Sequence, residues 1–270
     1  MHLTKHHGLG NDFLVAFVDE VPDRAPELAL ELCDRSTGVG ADGLIFGIDA
    51  GTLPAMRLFN ADGSPAEISG NGLRCFLQAV ALRRSVQSLE IDVDTLAGIR
   101  SCSLESTEDL AVVVGATDMG PVTAGDAPTS DDFLDAVDGL PEVHRWAIGA
   151  VGNPHVVLLV DDPADVDLAH VGPQIEAAFP HGVNAHFIRH TGGDSIDLAV
   201  WERGSGITQA CGSGATVSAQ RAHDWGFVGQ TVSVAMPGGT ATVDVANAER
   251  ATAVLTGTAT FVASVVVPRG

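Results

Sequence analysis

Two segments of this chain set small reactive side chains where proton transfer is feasible. The first runs from Asn60-Ala-Asp-Gly to Ser69-Gly-Asn-Gly and enters an apolar stretch at 73–82; the second runs from Glu202-Arg-Gly-Ser-Gly to Cys211-Gly-Ser-Gly and enters 215–222. Nine positions separate the polar anchor from the hydroxyl or thiol in each. A side chain at the mouth of a helix meets unpaired backbone N–H groups and the positive end of the helix dipole, both of which favour negative charge. Two facing mouths would seat a carboxylate with a hydrogen-transferring group on either side. Cys211 has the setting expected to lower a thiol pKa from about 8.5: a helix start and little side-chain bulk. Ser69 offers only an alcohol, which is rarely ionised near neutral pH.

The other three cysteines read as core. Cys33 lies in a helix-like stretch at 26–35, Cys102 in a strand-like one, and Cys75 inside the first apolar helix, about one and a half turns beyond Ser69. No Cys-x-x-Cys pair occurs, and four cysteines in 270 residues are too sparse for a disulfide framework or a zinc ribbon.

Positioning the two mouths requires two similar halves. Strand-like runs at 13–18, 44–48, 56–60, 89–93 and 111–114 surround one helix at 73–84. After a Pro-, Gly-, Asp- and Thr-rich connector reaching about residue 141, strands near 146–148, 155–160, 185–188, 196–201 and 232–235 surround a helix at 215–225. There is no regular βαβ alternation, so the class is α+β, each half a mixed or antiparallel sheet wrapped around a central helix. The expected boundaries are 1–117, joined by a C-terminal strand at 257–270, and 118–256. At 270 residues, two cores are a sensible prior.

Composition narrows the chemistry further. There are 35 acidic residues against 14 basic ones, a net charge of −21, which leaves no basic footprint for nucleic acid. Aspartate outnumbers glutamate, and Lys5 is the single lysine. Such a surface suits high ionic strength, where salt screens self-repulsion. A halophilic protein is therefore expected. Pyridoxal phosphate is held through a lysine Schiff base, and Lys5 lies beside His6 and His7, away from any glycine-rich phosphate cradle; no cofactor and no metal are expected. Neither a membrane-length apolar run nor an apolar signal region is present, so the expected setting is cytoplasmic, without a membrane partner. A small-molecule substrate is the partner expected, and a homodimer is allowed.

The motif series as a whole resembles diaminopimelate epimerase. The residues that carry the likeness are His7-Gly-Leu-Gly-Asn-Asp-Phe, Phe59-Asn-Ala-Asp-Gly, Gly70-Asn-Gly with Arg74-Cys75, Gly152-Asn-Pro-His, Asn184-Ala, Glu202-Arg-Gly-Ser-Gly and Ala210-Cys-Gly-Ser-Gly, in order over residues 7–214. The resemblance implies a cofactor-independent isomerase of the lysine pathway that interconverts LL- and meso-2,6-diaminopimelate. It also implies two pseudo-symmetric halves with the site in the cleft between them. In that family a cysteine from each half acts as thiolate base and thiol acid on opposite faces of the α-carbon, as inversion requires.

Carried over by position, Cys211 is one of that pair and Ser69 holds the other's place. His155 and Glu202 correspond to the residues that tune the thiols. Asn11, Asn60, Asn153, Asn184, Glu202 and Arg203 correspond to substrate ligands, with backbone N–H groups at Gly70, Asn71, Gly212 and Ser213. Ser69 departs from the pattern and leaves three readings open: a variant epimerase weakened on one face, a one-base dehydratase or isomerase using Cys211, and a cysteine replaced by serine. A non-catalytic binding protein is a further alternative that leaves Cys211 unexplained.

Overall fold

The computed structural model describes residues 1–49, 51–130 and 132–268. Two compact units divide the chain: Met1–Asp118 with the segment from Thr256 onward, and Met119–Leu255. In chain order the first elements are β1 (His2–Gly8), β2 (Asn11–Phe17), α1 (Ala25–Cys33), β3 (Gly43–Ile48), β4 (Ala55–Asn60), β5 (Pro65–Ala66), α2 (Gly70–Arg84), β6 (Ser88–Thr95), β7 (Gly98–Ser106) and β8 (Val112–Gly120). The same order then recurs as β9 (Arg145–Val151), β10 (Asn153–Leu159), α3 (Leu168–Ala177), β11 (Asn184–Gly192), β12 (Ser195–Glu202), β13 (Gly206–Ile207), α4 (Gly212–Asp224), β14 (Thr231–Met236), β15 (Gly239–Asp244) and β16 (Ala253–Val266).

Strand pairing repeats as faithfully as order. β1–β2 is antiparallel, β2–β3 parallel, β3–β4 antiparallel, β4–β6 parallel and β6–β7 antiparallel. β9–β10, β10–β11, β11–β12, β12–β14 and β14–β15 follow the same sequence of senses. Parallel neighbours need a crossover, and the four helices are the four crossovers. In the first unit the strand order β1-β2-β3-β4-β6-β7-β8-β16 closes on itself, because β16 also pairs with β1. The result is a barrel-like sheet, a mixed α+β architecture as expected.

The repeat explains which helices lie inside. α2 is buried from Gly70 to Ala81 and touches β1, β2, β3, β4, β6 and β7, while α4 is buried over nearly its whole length and touches β9, β10, β11, β12, β14 and β15. A helix buried on every side must be wrapped, not laid on a surface. α1 and α3 lie on the outer faces instead. Phe13 and Val15 of β2 pack toward the α2 core, whereas Leu14 and Ala16 pack with Ala29 and Leu32 of α1. Both faces of the strand are covered, so it reads as an unbroken apolar run. In the second unit Val171 and Ile175 of α3 pack with Phe133, Phe179 and Phe187.

Cys33, Cys75 and Cys102 are buried free thiols, as their neighbours in sequence predict. No helix among the described residues is long and apolar enough to cross a membrane.

Candidate active site

Side chains marked by their type fall at corresponding places in the two repeats. Asn11 opens β2 and Asn153 opens β10; Asn60 closes β4 and Glu202 closes β12. Ser69 is the N-cap of α2 and Cys211 the N-cap of α4, both with extended backbone. Asn71 and Ser213 stand in the first turns that follow. Asn184 opens β11 opposite His155, the place that Gly43 takes opposite Phe13. Nine positions therefore span one short hairpin, β4–β5 or β12–β13, from a strand end to a helix mouth.

In the first unit Ser69 Oγ accepts a hydrogen bond from the Gly72 N–H at 3.0 Å. Its side chain is already committed to the cap. The β1–β2 hairpin turns through Leu9 and Gly10, both at positive φ, as a two-residue turn of that handedness demands. Gly8 beside it leaves room for α2, since a Cβ there would lie 3.1 Å from Asn71 Cβ. This close approach lets Asn71 Nδ2 donate to Asn11 Oδ1 at 3.2 Å, and Asn11 Nδ2 donates to Asp42 Oδ2 at 2.7 Å. Asn60 is not in that chain; its amide donates to Ser64 Oγ at 3.0 Å within its own turn.

The second unit gathers more of the candidates. The Gly214 N–H donates to Cys211 Sγ at 3.4 Å, and Ser213 Oγ lies 3.6 Å from the same sulfur. The thiol also hydrogen-bonds the Glu202 carboxylate, whose Oε1 accepts the Thr208 hydroxyl. Asn184 joins the loops: its Nδ2 donates to the Pro154 carbonyl at 2.8 Å and its Oδ1 accepts the Arg203 backbone N–H at 3.0 Å. Arg203 Nη1 donates to the His181 carbonyl at 3.0 Å.

His155 is fully buried in β10. Its Nε2 bonds Asn153 Oδ1 and its Nδ1 bonds His186 Nε2, each at 2.8 Å. With both ring nitrogens engaged, neither presents a proton or lone pair to Cys211. His186 instead lies against α4, where a Cβ on Gly214 would come within 2.1 Å of its ring. His186, Thr208 and Asp42 are the residues that sequence reading missed; only the spacing Glu202-x5-Thr208 offered a signal.

The helix mouth alone does not set the charge of Cys211. Burial pushes its thiol pKa upward, the neighbouring Glu202 charge adds to this, and the Ser213 hydroxyl and Gly214 N–H oppose it without prevailing. The expected lowering is thus reversed. Cys211 rests as a thiol with Glu202 as its hydrogen-bond partner.

Burial shapes the other titrating groups as well. Burial pushes Cys33, Cys75 and Cys102 up to about 12 and lowers His6 to about 4 and His186 to about 3. The folded chain keeps thiol protons that the unfolded chain releases above about pH 9, and refuses imidazole protons that the unfolded chain accepts below about pH 6.5. Stability at fixed salt is expected to be greatest between those limits. Above pH 9 it falls by up to about 1.4 kcal/mol per pH unit for each buried thiol, and it is also lost from pH 6.5 toward 4. Urea midpoints at constant KCl across pH 4–11 measure this; a midpoint still rising between pH 9 and 11 would contradict it.

Among the described residues no group of three or more His, Cys, Asp or Glu side chains is placed to hold a metal ion. The family model described as diaminopimelate epimerase matches residues 3–124 and 148–262. A diaminopimelate epimerase of Methanothermobacter thermautotrophicus is 40% identical over 263 residues, covering 90% of this chain and 89% of that one. One from Bacteroides thetaiotaomicron is 39% identical over 245 residues, covering 89% and 88%. Among solved structures, a phenazine biosynthesis protein of the PhzF family from Bacillus anthracis aligns with a TM-score of 0.74 at 14% identity, covering 99% of each chain. A hydroxyproline epimerase from Agrobacterium vitis aligns with a TM-score of 0.68 at 16% identity, covering 98% and 91%. These structural likenesses speak to the fold alone.

Proposed function

The chain belongs to the diaminopimelate epimerase family, and from that premise we propose that it is an isomerase interconverting LL- and meso-2,6-diaminopimelate in lysine biosynthesis. The observation that carries the reading is the family's motif series, intact along the chain except at Ser69. In this mechanism Cys211 is the proton-transferring group on one face of the α-carbon. Delivering its S–H proton to the carbanion leaves a thiolate at the mouth of α4, beside the Gly214 N–H and the Ser213 hydroxyl. In the reverse sense the thiol proton passes first to Glu202, and the thiolate then takes the α-proton. Ser69, at the mouth of α2, serves the opposite face and relays a proton to or from water.

Asn11, Asn60, Asn153, Asn184, Glu202 and Arg203 would hold the two amino-acid ends of the substrate. Backbone N–H groups at the two helix starts would hold its reacting carboxylate. The domain division proposed is 1–117 with 257–270, and 118–256. No pyridoxal phosphate takes part in this reading: the single lysine, Lys5, is held by Asp12 at 2.9 Å and the Gly40 carbonyl at 2.6 Å. The setting proposed is cytoplasmic, with a homodimer as the assembly to test by sedimentation.

The test is incubation with LL-diaminopimelate in deuterated water at molar KCl. Inversion with solvent deuterium at the α-carbon supports the epimerase. A second reading, a one-base dehydratase or isomerase, is favoured by Ser69 alone. Exchange with retained configuration, or loss of water from a β-hydroxy amino acid, would establish it instead.

The acidic surface supports a halophilic protein. Self-repulsion at a net charge of −21 is screened when the Debye length shrinks from ~10 Å at 0.1 M salt to ~3 Å at 1 M. The melting temperature is expected to rise by several degrees between 0.1 and 2 M KCl. An unchanged value would remove the halophilic reading.

A further inference from the structure

Arg203 follows the last residue of β12 and is exposed, yet a single stretch of chain, 181–184, grips it from end to end. Asn184 Oδ1 accepts its backbone N–H at 3.0 Å, and the His181 carbonyl accepts its Nη1 at 3.0 Å. Between these points the arginine stem lies across Gly182, where a Cβ would stand 2.8 Å from Arg203 Cδ and 3.1 Å from Cγ. Gly182 also has φ +70° and closes a turn in which its N–H donates to the Phe179 carbonyl at 3.1 Å. Glycine suits this place twice, once for the backbone and once for the arginine beside it.

The turn is located independently of Arg203. Gly172 of α3 lies against the Trp201 ring, which a Cβ there would meet at 2.3 Å, and Trp201 Nε1 donates to Glu176 Oε2 at 2.8 Å. Glu176 Cγ lies in turn 3.4 Å from the Cβ position of Gly182. A side chain at 182 would therefore displace the exposed, flexible arginine and not the turn. The grip also leaves one side of the guanidinium open: among the described residues Nε and Nη2 have no hydrogen-bond partner. Those two nitrogens form an edge that takes a carboxylate through two parallel N–H bonds. An arginine already held in place loses less rotamer freedom when it binds.

We propose that Gly182 is a positioning residue: the space it leaves for the Arg203 stem aims the free Nε–Nη2 edge at a substrate carboxylate. This rests on the epimerase reading. There the helix starts hold the reacting carboxylate, so Arg203 takes the carboxylate of the other amino-acid end. That group keeps its charge through the reaction, so poorer aim weakens bound substrate and transition state alike and raises KM more than it lowers kcat.

Gly182→Ala is expected to raise KM for LL-diaminopimelate about tenfold and to change kcat less than about threefold. It also strains the backbone at positive φ, which Gly226→Ala, at φ +79° just beyond α4 with nothing within 4 Å of its Cβ, reproduces without touching Arg203. Both variants are expected to melt about 2–4 °C lower, and only Gly182→Ala to move KM. Should Gly182→Ala not fold, Gly182→Asn carries a Cβ on a residue that tolerates positive φ, and a several-fold higher KM is expected there. In an Arg203→Ala background, with KM already raised, Gly182→Ala is expected to add less than about twofold, because the group it works through is gone. KM within about twofold of wild type in Gly182→Ala, or in Gly182→Asn if the former is unfolded, overturns the proposal. So does an equal rise in Gly226→Ala, or a full additional rise in the Arg203→Ala background. A wild type inactive on LL-diaminopimelate would instead overturn the epimerase reading, and the proposal with it.

Discussion

Cys211→Ser is expected to lower α-proton exchange and epimerisation by about 10³-fold, while the protein stays folded and melts at the same or a slightly higher temperature. General acid–base catalysis by a placed group contributes roughly 10²–10⁴-fold. A serine at this position keeps the capping geometry, since oxygen accepts the Gly214 N–H better than sulfur does, and Ser69 already shows a serine capping the corresponding helix. What is lost is the ability to give and take a proton near neutral pH. The resting thiol hydrogen-bonds Glu202, so Glu202→Gln is the informative companion. It removes the carboxylate that adds to burial in raising the thiol pKa, and with it the acceptor for the thiol proton. A Cys211→Ser variant that kept more than a tenth of the wild-type exchange rate would take Cys211 out of the chemistry altogether.

The reversal of the Cys211 pKa shows what a sequence can and cannot carry. Ser69 and Cys211 were legible as helix caps because capping is local: a small polar side chain, then glycines, then an apolar run. The charge on the thiol is not local. It depends on Glu202 being brought to the sulfur by the β12–β13 hairpin and on the burial imposed by six surrounding strands. The contacts of His155 are not local either. Its Gly-Asn-Pro-His motif is visible, but its partner His186 lies 31 residues away and meets it only through the parallel pairing of β10 with β11.

The fold divides along similar lines. α2 and α4 announce themselves as long runs of small and apolar residues between glycine starts and polar ends. α3 went unread because Pro173 interrupts its pattern, although Asp167 accepts a cap bond from the His170 N–H. β15 is short and half exposed, and β1 mixes three histidines and the lysine, so neither has the apolar run that marks β2 or β3. The repeat shows in the amino acids at the matched segments 60–72 and 202–214, but the parallel and antiparallel senses of its strands do not, because strand pairing fixes them and side-chain pattern does not.

Ser69→Cys is expected to raise epimerisation by about 10²-fold, the low end of the range for a placed acid–base group. The two cap positions have similar backbone, φ −139° and ψ 120° at Ser69 against −123° and 109° at Cys211, so a thiol fits the geometry that already holds one. Sulfur is the poorer acceptor for the Gly72 N–H, and the loss of cap strength should cost about 0.5–1 kcal/mol. Activity should therefore rise as stability falls slightly, a combination that general tightening of the fold cannot produce. Ser69 is half buried where Cys211 is fully buried, so a thiol there meets less desolvation at the same helix mouth. The two thiols should then differ in acidity, one ready as thiolate while the other keeps its proton, and the rate should acquire a bell-shaped dependence on pH that wild type lacks. If the rate of Ser69→Cys equals that of wild type across pH 6–10, Ser69 does not face the α-carbon, and the two-sided arrangement fails even if Cys211 remains essential. A fast variant with retained configuration would separate the two issues further, since a second base on the same face accelerates exchange without inverting the centre.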